Sequence, residues 1–316
     1  MSRCCTHESC FADTTCALGN IDRVDCEHWL EPDAIEGTPE KEQTTQTSDV
    51  PWNGYALGTR DLTILGGRGC PLVIGLIGPP DSGKTSLLAF VYMWLLKHGS
   101  LIDWQFAGSW TLGGWESVVQ HCRWTGEPPP SFPPHTSSSG RYPGMLHVTF
   151  RDPKGRLQDV LFADAPGEWF TQWARVPGNP TADGARWVIE HADALLMLID
   201  SAALADAKKL PHARRATRDL LERIGAVTPH LPMTVVWTKD DVEVPTHARD
   251  VLERACAEFV PHANMAQTTV NEPETIAKCF MDMITAADSS VSIAKNPEPV
   301  LSNDPFLAFR GLHVEY

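Results

Sequence analysis

The sequence predicts an α/β fold: a mostly parallel sheet flanked by helices, with a small cysteine-rich N-terminal module and a tryptophan-rich insertion. Three observations lead there. Residues 72–88, LVIGLIGPPDSGKTSLL, run from an uninterrupted apolar strand through a Gly/Pro turn into a helix. Two further apolar runs, at 194–199 and 233–237, read as strands covered on both faces, as a parallel sheet requires. Helical patterns separate these runs, as an alternating α/β chain requires.

With 316 residues, 42% of them hydrophobic and eleven Trp, the chain can build one large α/β domain plus a small appendage. A net charge of −14 argues against nucleic acid as a bulk partner, because phosphate neutralisation needs a basic face. No apolar run approaches the roughly 18 residues of a membrane span. The start, MSRCCTHESC, lacks the apolar core of a signal peptide. The cytosol is the expected compartment, and there the nine Cys do not imply disulfides.

The first element in order is the head, 1–30. It holds Cys4, Cys5, Cys10, Cys16 and Cys26, with His7 and His28 nearby. So short a segment cannot bury a core of its own, and a tetrahedral Zn²⁺ site is the usual substitute. Cys5, Cys10, Cys16 and Cys26 are the candidate ligands, with Cys4 or His28 as replacements. The alternative is a disordered tail with free thiols. Residues 31–50 are acidic and Thr/Glu-rich, a flexible linker with a root-mean-square reach of about 25 Å. A strand-like stretch at 54–65 is expected to pair at the sheet's edge.

The loop at 78–85, Gly78-Pro79-Pro80-Asp81-Ser82-Gly83-Lys84-Thr85, fits G-x-x-x-x-G-K-[ST] in the strand–loop–helix context that gives the pattern meaning. Its glycines allow successive N–H groups to face phosphate oxygens, and the new helix adds its positive end. Gly78, Asp81, Ser82, Gly83, Lys84, Thr85 and Ser86 are the candidate phosphate contacts. Lys84 would reach the β- and γ-phosphates, and Thr85 would ligate Mg²⁺.

Residues 101–144 exceed what an α/β connection needs. They carry Trp104, Trp110, Trp115 and Trp124, read as the local core of an inserted subdomain or, alternatively, as a partner surface. Their tail, PPHTS, supplies Thr136 as the candidate residue that caps Mg²⁺ and senses the γ-phosphate; any Ser or Thr among 136–139 could serve. Strands at 145–150 and 157–162 flank the turn Asp152-Pro153-Lys154-Gly155 as a hairpin. The second strand leads into Asp164-Ala165-Pro166-Gly167-Glu168. A carboxylate at a strand's end about 80 residues after a phosphate loop suits a nucleotide site: Asp164 to hold the metal through water, the Gly167 N–H to meet the γ-phosphate.

Helical stretches between 168 and 193 precede the 194–199 strand, and one long helix is expected over 203–224. The 233–237 strand ends in Thr238-Lys239-Asp240-Asp241. The Asp241 carboxylate can accept both the N1–H and the 2-amino hydrogens of guanine, donors that adenine lacks. The Lys239 stem would lie along the base, and Thr238 would tie this loop to the phosphate loop. A helix at 247–259, a strand at 265–270 and a helix at 274–286 follow, then a tail at 289–316. A backbone N–H near 268–271 would bind the guanine O6.

With these motifs in register, residues 72 to about 287 resemble P-loop GTPases of the translation-factor and Ras-like (TRAFAC) class. Gly78–Thr85 matches the phosphate loop, Asp164–Gly167 the second-switch motif, and Thr238–Asp241 the guanine-specificity motif in its Thr form. The tryptophan-rich insertion, the PPHT segment and the cysteine-rich head also resemble bacterial GTPases encoded in pairs. The resemblance implies GTP/GDP and Mg²⁺ as ligands, hydrolysis of GTP, and a second GTPase or an activating protein as partner in a multi-protein system. It departs at Glu168, where Ras-like proteins place a Gln that orients the attacking water. A carboxylate can accept from that water but repels the γ-phosphate, so slow unaided hydrolysis is expected. A GTP-bound scaffold without turnover, and an ATPase or kinase of the same fold, are the competing expectations.

Overall fold

The computed structural model describes residues 56–59, 61–62, 65, 69–123, 131–132, 143–176 and 178–290. All of them belong to the unit Trp52–Tyr316. The cysteine-rich head, the acidic linker, Thr136, Trp124 and the 291–316 tail lie outside the described residues.

The apolar run at 72–77 is a strand, β1 (Leu72–Ile77), buried along its whole length. There follow α1 (Lys84–His98), β2 (Ser100–Leu101), β3 (Trp104–Gly108), α2 (Leu112–Val119), β4 (Gly144–Arg151) and β5 (Leu157–Asp164). Then come α3 (Gly167–Arg175), α4 (Asp183–His191), β6 (Ala194–Asp200), α5 (Ser201–Ala205) and α6 (Leu210–Val227). The last elements are β7 (Met233–Thr238), α7 (Thr246–Phe259), β8 (Asn264–Thr268) and α8 (Pro273–Ser290).

The strands form one sheet in the order β2-β3-β4-β5-β1-β6-β7-β8. From β5 through β8 neighbours pair in parallel, while β2, β3, β4 and β5 pair antiparallel. Parallel strands all end on the same rim, so the chain following β1, β5, β6, β7 and β8 emerges on one side. That places the site.

Side chains alternate across the sheet, and β1 shows how two cores result. Val73 and Ile77 join Phe170, Trp173, Leu220 and Leu252 from α3, α6 and α7. Ile74 and Leu76 join Trp115, Phe280 and Ile284 from α2 and α8. Each such buried side chain contributes about 1.5–3 kcal/mol over leaving it in water. The β4–β5 turn forms where the sequence marks it. The Asp152 carboxylate accepts the Lys154 and Arg156 N–H groups, and the Arg156 guanidinium bridges it to Asp288 on α8.

Several expectations are corrected. The 101–144 segment closes no separate core among the described residues: β2 and β3 extend the sheet, and Trp104 and Trp115 pack into the main core. A buried polar knot fixes this extension. The Trp110 N–H donates to His147 Nδ1 (2.9 Å), so Nε2 carries the proton and donates to Asp159 (3.1 Å). Of the strand expected at 54–65, the described residues pair with the sheet through the bridge of Leu57 to Met145, on the part of β4 that β3 does not reach, and residues 54–55, 60 and 63–64 lie outside the described residues. The helix expected over 203–224 is two helices, because Pro211 lacks the N–H a helix interior needs and sits instead in the first turn of α6. The last helix continues to Ser290, whose hydroxyl, like that of Ser289, bonds back to a carbonyl of its own helix.

Candidate functional site

The loop between β1 and α1 turns on unusual backbone. Asp81 (φ 63°) and Gly83 (φ 92°) both adopt the left-handed region, which Gly83 enters without cost and Asp81 tolerates. Lys84 opens α1, is buried, and donates to the carbonyls of Gly78 (3.2 Å) and Pro79 (3.1 Å). Burial pulls the Lys84 pKa below its ordinary value, against the opposing pull of the Asp164, Glu168 and Asp81 charges. Thr85 Oγ1 donates to the Asp164 carboxylate (2.8 Å), joining the start of α1 to the end of β5.

Beyond Asp164 the chain folds back onto the phosphate-loop backbone. A Cβ built on Gly167 would lie 2.2 Å from the Pro80 nitrogen and 2.4 Å from the Pro79 carbonyl carbon. Only glycine permits that approach, which is the physical content of the glycine in D-x-x-G. Glu168, the next residue, is exposed.

The loop after β7 is tied to the phosphate loop twice. Thr238 Oγ1 donates to the Ser82 carbonyl (2.9 Å), as the sequence led one to expect. Lys239, itself at φ 55°, donates to the Asp81 carbonyl (2.9 Å) and to Asp200 Oδ2 (2.8 Å). The two adjacent aspartates separate. Asp240 pairs with Arg249 (2.7 Å), whose guanidinium lies over the Trp237 ring. Asp241 turns into the cavity and accepts from the Thr269 hydroxyl (2.9 Å).

These loops surround one cavity of about 1070 Å³. Asp81, Gly83, Lys84, Thr85 and Ser86 line one part, Gly167 and Glu168 another, and Thr238, Lys239 and Asp241 a third. Gly78, Ser82 and Asp164 sit buried behind the lining. The hydroxyls of Ser82 and Thr268 are buried without a hydrogen-bond partner among the described residues, and Thr268 is on the wall. Thr136 and the four candidate zinc cysteines lie outside the described residues. Among the described residues no group of three or more His, Cys, Asp or Glu could hold a metal ion by itself. Thr85 and Asp164 offer a hydroxyl and a carboxylate, the hard oxygen donors that suit Mg²⁺ completed by phosphate and water. No helix among the described residues is long and apolar enough to cross a membrane.

Sequence reasoning missed Asp200, Lys208, Lys209 and Phe132 as cavity residues. Asp200 was within reach, because it ends an apolar strand just as Asp164 does. The lysines fell inside the single helix expected over 203–224, and Phe132 lay inside a proline-rich run with no periodicity.

The family model described as "Double-GTPase 2" matches residues 72–285. No curated protein matches the chain. Among solved structures, one described as nucleolar GTP-binding protein 1 from Plasmodium falciparum aligns at 11% identity and a TM-score of 0.42. That alignment covers 69% of this chain and 87% of the other. Era from Aquifex aeolicus, bound to GDP and AlF4−, aligns at 16% identity and a TM-score of 0.34, over 67% of this chain and 56% of that one.

Proposed function

The chain belongs to the Double-GTPase 2 family, and from that premise we propose that it binds GTP at the rim cavity and hydrolyses it to GDP and phosphate, acting as a switch in a multi-protein bacterial system. The observation that carries this reading is the pair of ties from the base loop to the phosphate loop, Thr238 to Ser82 and Lys239 to Asp81. They hold a carboxylate suited to guanine at a set distance from a loop suited to phosphate.

In this reading Lys84 and the loop backbone bind the phosphate chain. Asp241, steadied by the Thr269 hydroxyl, accepts the N1–H and 2-amino hydrogens of guanine. Adenine would leave that carboxylate unpaired. Thr85 and Asp164 would hold Mg²⁺, which when bound neutralises charge on the β- and γ-oxygens. Glu168 accepts a hydrogen bond from the water that attacks the γ-phosphorus, while its charge opposes the phosphate and keeps unaided turnover slow. A protein partner, a second GTPase or an activating protein, would raise the rate; an arginine supplied in this way is worth roughly 10³–10⁵-fold in known systems. Zinc in the 1–30 head belongs to the same proposal, and metal analysis of a Cys10→Ser, Cys16→Ser variant tests it.

Purified protein is titrated with labelled GTP against excess ATP, and phosphate release is followed over time. Displacement by GDP but not ATP, with slow release of phosphate, is the expected outcome. Easy displacement by ATP would overturn the guanine assignment. Binding without any release would favour the second reading, a GTP-bound scaffold, for which the carboxylate at Glu168 is the specific support.

A further inference from the structure

We propose that Lys208 and Lys209 form a second phosphate-binding element of the cavity, a cationic clamp supplied in cis that grips the triphosphate opposite the phosphate loop; this rests on the GTP reading above. Both residues line the same cavity as Lys84, Glu168 and Asp241. They lie on the connection between α5 and α6, which leaves the rim from β6. In the sheet β6 stands between β1 and β7, so this connection starts between the phosphate loop and the base loop.

The connection is ordered locally. The Asp206 carboxylate accepts the Lys208 N–H (2.8 Å), and the Asp206 carbonyl accepts the N–H groups of Lys209 (3.0 Å) and Leu210 (2.8 Å). Pro211 then starts α6. The backbone of both lysines is therefore pinned by a turn, while their exposed side chains are free to extend over the cavity.

What separates these lysines from the other two on the wall is their lack of protein partners. Lys84 donates to Gly78 and Pro79, and Lys239 to Asp81 and Asp200. The Lys208 and Lys209 ammonium groups make no hydrogen bond or ion pair among the described residues. Two adjacent like charges repel each other and are relieved by a polyanion between them. The chain's net charge of −14 works against drawing a triphosphate to its surface, and a local cationic patch at the cavity offsets it. The clamp also offsets Glu168, whose carboxylate would otherwise repel the γ-phosphate across the same cavity. Its contribution is largest for the nucleotide with the most phosphate charge.

The test uses the full chain and compares GTP, GDP and guanosine binding, with single-turnover hydrolysis, in wild type and Lys208→Ala/Lys209→Ala. Lys97→Ala, on an exposed turn at the far end of α1, serves as the control for one lost positive charge. The double variant should bind GTP about tenfold or more weakly, GDP less affected and guanosine unchanged, as expected for loss of charge-assisted contacts to phosphate. Its hydrolysis should slow, and Lys208→Arg/Lys209→Arg should restore both. GTP affinity and turnover equal to wild type in the alanine variant would overturn the clamp. So would an equal loss for all three ligands, which is the mark of a collapsed cavity. If wild type itself fails to bind GTP, the parent reading fails first; if wild type binds and the alanine variant does too, only the clamp falls.

Discussion

The Thr238 hydroxyl donates to the Ser82 carbonyl across 2.9 Å, joining positions 156 residues apart in the chain. Both residues are buried, and the same hydroxyl lies 3.1 Å from the Ile199 carbonyl on β6. The ends of β6 and β7 and the phosphate loop are stitched together by one side chain, and the distance between base loop and phosphate loop follows from that stitch. Thr238→Val keeps the shape and removes the bond. A lost bond with its carbonyls left buried costs about 1–3 kcal/mol. Nucleotide affinity should therefore fall several-fold to about a hundredfold, with the melting temperature lowered too. Isothermal titration and thermal denaturation check both; unchanged affinity would show that the stitch does not set the site.

Gly167→Ala meets backbone rather than flexible side chains. The new Cβ would sit 2.2–2.6 Å from atoms of Pro79 and Pro80, so either the phosphate loop or the start of α3 must shift. Overpacking of this kind costs about 1–3 kcal/mol. Denaturant unfolding should show the loss, together with weakened GTP binding, whereas a variant with native stability and affinity would mean the two segments move apart readily.

Lys84 carries a stability cost with a defined pH dependence. Burial holds its pKa below 10.5, so the folded chain releases this proton at a lower pH than the unfolded chain. Between the two values the unfolded state binds more protons, and stability rises with pH. Below the depressed value the cost is present in full. Lys84→Met should accordingly be more stable than wild type at neutral pH, with the gap shrinking as pH climbs toward 10.5. The same variant should lose nucleotide binding by about a hundredfold or more, as expected where a charge-assisted contact is removed from a buried site. Unfolding curves at several pH values decide it; a gap that widens with pH contradicts the sign.

Glu168→Gln replaces a repelling carboxylate with a neutral group that can both accept from water and donate to phosphate. Single-turnover hydrolysis should accelerate by about tenfold, in line with one improved hydrogen bond at a charged transition state. GTP affinity should rise or hold. Fast hydrolysis already in wild type would remove the reason for the prediction.

The fold was legible where one physical signal dominated. Continuous apolar runs at 72–77 and 194–199 read as doubly covered strands because nothing polar interrupts them. The β4–β5 hairpin was legible from its turn residues, whose side chains make the turn. Legibility failed at β2 and β3, whose short, partly exposed strands carry no clear alternation. It failed again at 203–224, where a periodic pattern concealed the break that Asp206 and Pro211 impose. Trp115 read as part of a separate unit because sequence distance suggested it, yet it stacks with Tyr92 of α1 in the main core.

Local chemistry determined the phosphate loop, the strand-end carboxylate and the Thr-Lys-Asp-Asp turn, because residue type and spacing alone restrict what such loops can bind. The spacing of that turn already picked out Asp241; what tertiary structure supplied is how the two aspartates are held apart, Asp240 paired with Arg249 and Asp241 beside Thr269. Tertiary structure also decided that Asp200, Lys208 and Lys209 share the wall with Lys84. Those choices depend on parallel strands delivering their ends to one rim. That pairing joins residues far apart in the chain, so no local window of sequence contains it.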